Sequence, residues 1–208
     1  MPRIVDHEQR RREIAKVVSG IVLKGGVEAV TIRAVAEECG YSTTIVCHYF
    51  RSKHEMLAYT QRVAWQRGLA RIRKASRDGK DLLACLDFAL PITSPRWQDW
   101  HCWLAFWGQT PDIEGIETEW SESSTVSNDV FVDLIVKAQA RGEFDPTENA
   151  RDVATDIQVA INGIATLVAI QRSDWPARRQ RVILRKHLLR LGYRPRNQEP
   201  GMTDGTST

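Results

Sequence analysis

Residues 31–57 read TIRAVAEECGYSTTIVCHYFRSKHEML, a pattern of two short helices joined at a glycine. Thr31 opens the run IRAVAEEC, which stops at Gly40, and Ser42 opens TTIVCHYF. Threonine and serine suit these starts because their side-chain oxygens accept from backbone N–H groups that have no partner inside the helix. Gly40 takes the left-handed backbone of a tight turn without a Cβ penalty, and Ala36 lets the helices approach closely. The unit is a helix-turn-helix. Val35, Cys39, Tyr41, Val46 and Tyr49 fall where it buries side chains. Ile45, Val46 and Phe50 are expected on the apolar face of the second helix, which turns Thr43, Thr44, Cys47 and His48 outward. Small polar groups at a helix start suit the major groove, where threonine meets a thymine methyl or a base-edge acceptor. Arg33 has the reach for a base or phosphate, and Tyr49 and Lys53 stand where backbone phosphates would pass.

Outward from this unit the chain reads as helix. Ile14, Val17, Val18, Ile21 and Val22 recur at helical spacing before the stop Lys24-Gly25-Gly26. Ser52 and Glu55 form a capping box that starts a helix running to about Arg77, where Asp78-Gly79 breaks it. Helical segments follow at about 80–92, 95–108, 116–141, 147–172 and 176–191. Pro95, Pro146 and Pro176 sit where a first turn tolerates proline, and Asp145 with Glu148 makes a second capping box. No run of alternating β-branched residues stands between turn signals. The expected fold is all-α: an N-terminal three-helix unit carrying the helix-turn-helix, then a larger helical ligand-binding and dimerisation bundle, about nine helices in all. The expected division is 1–51, 52–193 and a disordered polar tail at 194–208.

Composition agrees. At 42% hydrophobic and 26% charged, the 208 residues suffice for a packed core. No stretch approaches the ~20 consecutive apolar residues of a membrane span. The N-terminus, MPRIVDHEQRRRE, lacks the apolar run of a signal peptide, so a cytoplasmic location and no membrane partner are expected. Cys39, Cys47, Cys85 and Cys102 show no CxxC pairing, and neither a metal nor another cofactor is expected. Charge is lopsided. Residues 1–80 hold 16 Lys/Arg against 8 Asp/Glu, residues 81–170 hold 4 against 15, and residues 171–208 hold 9 against 3. A basic head on an acidic body suits a head that meets a polyanion.

The stretch from Thr31 to Leu57 resembles the signature of TetR-type repressors: threonine before a short helix, Ala…Gly at the turn, Tyr-Phe closing the recognition helix, then a basic Ser-Lys. The resemblance covers residues 10–60, and WLAFWGQ at 103–109 is similar to the choline-responsive BetI branch. It implies base contacts from Arg33, Thr43, Thr44 and Cys47, and phosphate contacts from Thr31, His48, Tyr49 and Lys53, with Ser42 heading the recognition helix. Where the family often has tyrosine, this chain has Cys47. The resemblance also implies a double-stranded operator, a small-molecule effector in the body, and pairing of the last two helices with those of a second subunit. One recognition helix reads too few base pairs to stand out in a genome, so a homodimer on a palindromic operator is expected.

The effector candidates lie in the tryptophan-rich helix. Trp100, Trp103 and Trp107 form a stripe that, with Phe106, either packs as core or builds an aromatic cage for a cation such as choline, which the acidic body would also favour. The readings left open are a regulator of this fold with another apolar or aromatic ligand, and an architectural DNA binder. An enzyme is not expected. His101 and Cys102 are neighbours and point about 100° apart, and there is no glycine-rich phosphate loop, GxSxG or HExxH.

Overall fold

The computed structural model describes residues 7–107 and 116–195, and the side chains of 106, 107 and 116–124 lie outside that description. Among the described residues there are nine α-helices and no strand: α1 His7–Gly25, α2 Ile32–Cys39, α3 Thr43–Tyr49, α4 Lys53–Arg77, α5 Leu82–Asp87, α6 Ser94–Trp107, α7 Ile116–Ala140, α8 Ala150–Ile170 and α9 Ala177–Arg190.

The helix ends follow local chemistry. Thr31 caps α2 by accepting from the Ala34 N–H at 3.0 Å, and Ser42 caps α3 by accepting from the Ile45 N–H at 3.3 Å. Gly40 has φ 69°, the left-handed backbone the turn requires. At the start of α4, Ser52 accepts from the Glu55 N–H at 3.1 Å, but the Glu55 carboxylate takes the N–H of Arg51, at 2.8 Å, instead of closing back on Ser52. The expected box is therefore shifted by one residue on its return side.

Three further boundaries differ from expectation. α5 stops at Asp87 rather than near residue 92, because Pro91 disfavours helical backbone at Leu90. The second capping box does not form: Asp145 accepts from the N–H and hydroxyl of Thr147, at 2.9 and 2.7 Å. α8 instead begins at Ala150 under Asn149, which accepts from the Arg151 N–H at 2.9 Å. α8 is long and apolar enough by length and composition to cross a membrane, although Arg151, Asp152, Asp156, Gln158 and Asn162 interrupt its apolar residues. One of its faces, with Val153, Ile157, Ile161, Ile164 and Val168, packs into the core.

Two apolar clusters organise the chain. One joins α1, α2 and α3 through Ile14, Val18, Val35, Val46 and Phe50, continues into α4 through Met56, Leu57, Tyr59 and Ala64, and takes Cys102 from α6. The other fills the body with Leu82, Leu86, Leu90, Trp97, Ile135, Phe144, Leu184 and Leu188 among its members. Helices of eight and seven residues such as α2 and α3 are too short to persist alone, so their stability comes from the first cluster. α6 touches both clusters.

Candidate DNA-reading surface and effector pocket

The reading surface is built on α3. Only Val46 is buried within this helix; Thr43, Thr44, Cys47 and His48 are exposed and Tyr49 is half-buried. Ile45, expected inside, is 43% exposed while Val46 is fully buried. Successive helix residues stand about 100° apart, so the face that buries Val46, Tyr49 and Phe50 leaves Ile45 on the outside with Thr44 and His48. The missed signal was therefore the helical angle: apolar character alone assigned Ile45 to the core.

Around α3 the expected residues occupy one side of the head. Thr31 and Ser42 are exposed at the starts of α2 and α3, each accepting one capping hydrogen bond at its hydroxyl oxygen and keeping an O–H donor. Arg33 is exposed and Lys53 half-buried, and neither forms an ion pair among the described residues. The Tyr49 ring lies 4.8 Å from that of His7 and 5.2 Å from that of His48, edge to face with the latter, so α1 and α3 brace each other here.

Much of the head's positive charge is spent internally. Arg11 bonds Glu55 at 2.9 Å and lies over the rings of Phe50 and Tyr59, at 4.7 and 4.5 Å. Arg10 bonds both Glu13 and the Tyr41 hydroxyl. Lys24 meets Glu38 at 3.2 Å. The charge count of the sequence therefore overstates what faces a polyanion, and Arg33 and Lys53 matter more than their number suggests.

In the body, α4, α6, α7 and α8 enclose a cavity of about 330 Å³. Trp65, Phe88, Trp100, Trp103 and Phe131 give it an aromatic lining, with Gln61, Ser127, Gln158 and Asn162 as neutral polar groups. Two of the four expected effector residues, Trp100 and Trp103, are in this wall; the side chains of Phe106 and Trp107 lie outside the described residues. Trp97 is instead a core residue, with Arg172 over its ring at 5.1 Å.

The tryptophan pair is fixed in an orientation that matters. Trp100 donates its indole N–H to the Ala89 carbonyl at 2.7 Å, and the two rings meet at 90° with centroids 5.3 Å apart. In that geometry one ring's edge covers the other's face. The only carboxylate in the described wall, Asp99, is buried and already held by Arg67 at 2.7 and 3.1 Å and by Arg71 at 2.6 Å.

α6 connects pocket and head. Asp99, Trp100 and Trp103 face the cavity, whereas Cys102 is buried in the head cluster with its sulfur 3.6 Å from the Ser19 hydroxyl of α1. Burial pushes the Cys102 thiol up to about 11 and the Cys85 thiol likewise to about 11, so both are protonated at neutral pH. Burial also lowers His101.

Comparison with known proteins decides the family. A profile described as BetI-type transcriptional repressor, C-terminal, matches residues 78–192, more than half of the chain, and the profile of bacterial regulatory proteins of the tetR family matches residues 22–60. The chain belongs to the TetR family. Its C-terminal region is of the BetI type. The Bacillus subtilis HTH-type transcriptional regulator PksA is 31% identical over 110 residues, 51% of this chain and 54% of that protein. The Vibrio campbellii regulator BetI is 28% identical over 113 residues, 51% of this chain and 57% of that protein. The matched region thus spans little more than half the length of these relatives.

Solved TetR-like structures share the fold. A transcriptional regulator from Saccharomonospora viridis in complex with choline superposes with a TM-score of 0.77 at 20% identity, covering 88% of this chain and 96% of that one. A transcriptional regulator from Rhodococcus sp. gives 0.75 at 20% identity, covering 87% and 95%. Residues 61–77 of this TetR-family chain lie between the two matching profiles. That stretch of α4 supplies Trp65, Arg71 and Ile72 to the cavity wall.

Proposed function

We propose that this protein is a cytoplasmic transcriptional repressor that binds a palindromic operator as a homodimer and is released when a small molecule enters the body cavity. One observation carries the reading. The outward face of α3 is set by two caps and a glycine turn, on a head whose core contains Cys102 from α6, and an adjoining face of α6 walls the cavity.

In this reading Arg33, Thr43, Thr44 and Cys47 meet base edges, and Ile45 joins them as an apolar contact for a thymine methyl. Thr31, Ser42, His48, Tyr49 and Lys53 meet phosphates and set the register. Trp100 and Trp103, with Phe106 and Trp107 as the remaining candidates, contact the effector. A ligand that fits only one arrangement of α4 and α6 tilts the head and changes the spacing of the two recognition helices. The duplex demands a separation of about 34 Å or a multiple of it, so the complex dissociates.

Subunit pairing is supported by an unpartnered apolar face. Val159, Leu167 and Ile170 on α8 are 65%, 43% and 69% exposed, with Gly163 exposed among them. Val182 and Leu189 on α9 are 44% and 46% exposed. Residues 159, 163, 167 and 170 recur at helical spacing, which is the pattern of a helix-to-helix seam across a two-fold axis.

The test is a gel shift and footprint on DNA upstream of the protein's own coding region, with excess random DNA as competitor. A symmetric protected site that survives competition is expected, whereas uniform loss to competitor fits an architectural binder and overturns the reading. Light scattering that finds only monomer with full operator affinity removes the homodimer. Choline added to the shifted complex tests the cation that the S. viridis complex and the acidic body support.

A further inference from the structure

We infer that the cavity is built for an anion: an effector with an apolar or aromatic body and one acidic group, anchored at Arg71. The inference rests on the effector reading above and names the ligand class of that site. The cavity wall brings two guanidinium groups against a single buried carboxylate. Arg67 and Arg71 both bond Asp99, so the cluster carries one excess positive charge beside an apolar space. Within the cluster Arg71 is the group that lines the cavity, and its guanidinium lies across Gly68, 4.0 Å from where a Cβ would stand.

A second observation is independent of charge counting. The Nε–H of Arg71 is buried and has no hydrogen-bond partner. Buried donors are nearly always satisfied, so this one marks Arg71 as incompletely paired, although Nε itself has no accessible surface and a ligand would meet the exposed part of the side chain. A carboxylate, sulfonate or phosphate in the cavity would balance the second guanidinium by a charge-assisted contact with the exposed part of Arg71.

The same contacts disfavour a cation. A quaternary ammonium needs exposed ring faces or a carboxylate with spare charge. Trp100 and Trp103 meet edge to face, and Asp99 is saturated by its two arginines. The remaining wall, with Trp65, Phe88, Ile72 and Phe131, suits an apolar body.

The experiment is isothermal calorimetry of the full-length dimer with benzoate, 2-naphthoate and decanoate, each paired with its amide, and with choline. At least one carboxylate is expected to bind about tenfold or more tightly than its amide, the scale of one charge-assisted hydrogen bond. Arg71→Gln should reduce that preference to within about threefold, because acid affinity falls much more than amide affinity, while Arg67 still holds Asp99. Arg71→Lys should restore part of it. Asp99→Asn should leave carboxylate binding intact or tighter. If no carboxylate outperforms its amide, if choline binds as tightly as the best acid, or if Arg71→Gln keeps the full preference, the proposal is overturned. A parallel gel shift separates the two levels. An acid that binds through Arg71 yet leaves the operator complex intact keeps the ligand class and removes the effector role; a neutral or cationic compound that releases DNA does the reverse.

Discussion

The head and the body of this TetR-family chain answer to different physics. In the head, the proposed reading residues sit on the outside of a short helix, and each feature that orients them acts over a few residues: Thr31 to Ala34, Ser42 to Ile45, Gly40 between them. In the body, the proposed effector site is inside, and the cavity exists only because α4, α6, α7 and α8 meet. Charge behaves oppositely as well. The head, basic by count, ties up Arg10, Arg11 and Lys24 in internal pairs. Residues 81–170, acidic by count, share the cavity wall with a net positive cluster whose two arginines come from α4. Overall charge thus predicts neither what a surface nor what a pocket presents.

The largest lever on this comparison is the head core. Phe50 is fully buried, and Phe50→Ala should cost about 3–5 kcal/mol of unfolding free energy in a urea titration. Because α6 inserts Cys102 into the same cluster, head and body should unfold in one transition followed by both far-UV circular dichroism and tryptophan fluorescence. Two separated transitions would show that the clusters are energetically independent.

Next comes the turn. A Cβ at Gly40 would meet nothing within 4 Å, so Gly40→Ala tests backbone strain alone and should cost about 1–3 kcal/mol with weakened operator binding. Gly40→Asn should be milder, since asparagine tolerates the left-handed region. Equal effects of the two substitutions would point to something other than φ.

Ile45 sharpens the comparison on the outside. Ile45→Ala should leave the melting temperature unchanged and weaken operator binding by about 1–2 kcal/mol, in the range of one lost base contact. Replacing the contacted thymines by uracil should remove that penalty. A variant that melts earlier, with no change in DNA affinity, would return Ile45 to the core. The caps come below this on the stability scale, with Thr31→Ala and Ser42→Ala each expected to cost about 1 kcal/mol by thermal or urea unfolding.

The smallest effect is chemical. Cys47 is exposed and should react with Ellman's reagent at pH 8 in the folded protein, while buried Cys85 and Cys102 wait for unfolding. Their thiols rise from 9.0 to about 11 on folding, so the native state holds those protons more tightly. This contribution is complete below pH 9 and is lost as pH rises from 9 towards 11, so alkaline unfolding curves of Cys85→Ser should show a shallower decline. Fast labelling of all four cysteines in the native state would mean the clusters open readily.

How far the sequence carried depended on the range of the interaction. The extents of α2, α3 and α4 followed from residues next to one another, and their ends fell where Thr31, Gly40, Ser42 and Asp78 indicate. The failures were local rules overridden by nearby competitors: Asp145 spent on Thr147, α5 shortened ahead of Pro91. Ile45 failed because hydrophobicity was read without its angle around the helix. The pocket was partly visible as a tryptophan stripe. Nothing in local pattern, however, brings Arg67 and Arg71 onto Asp99, 32 and 28 residues away in the chain.

The insertion of Cys102 between α1 and α4 also limits how regulators of this kind can be recombined. A head cut after Phe50 would carry the whole reading motif but would leave Val18, Val46 and Phe50 without the side chains of Met56, Leu57, Tyr59, Ala64 and Cys102 that complete their core. Transplanting the reading specificity onto another body would therefore mean exchanging only the outward positions of α3. The head-facing row of α6 would have to stay with its own partner, so new operators are reached more readily by surface substitution than by shuffling whole modules.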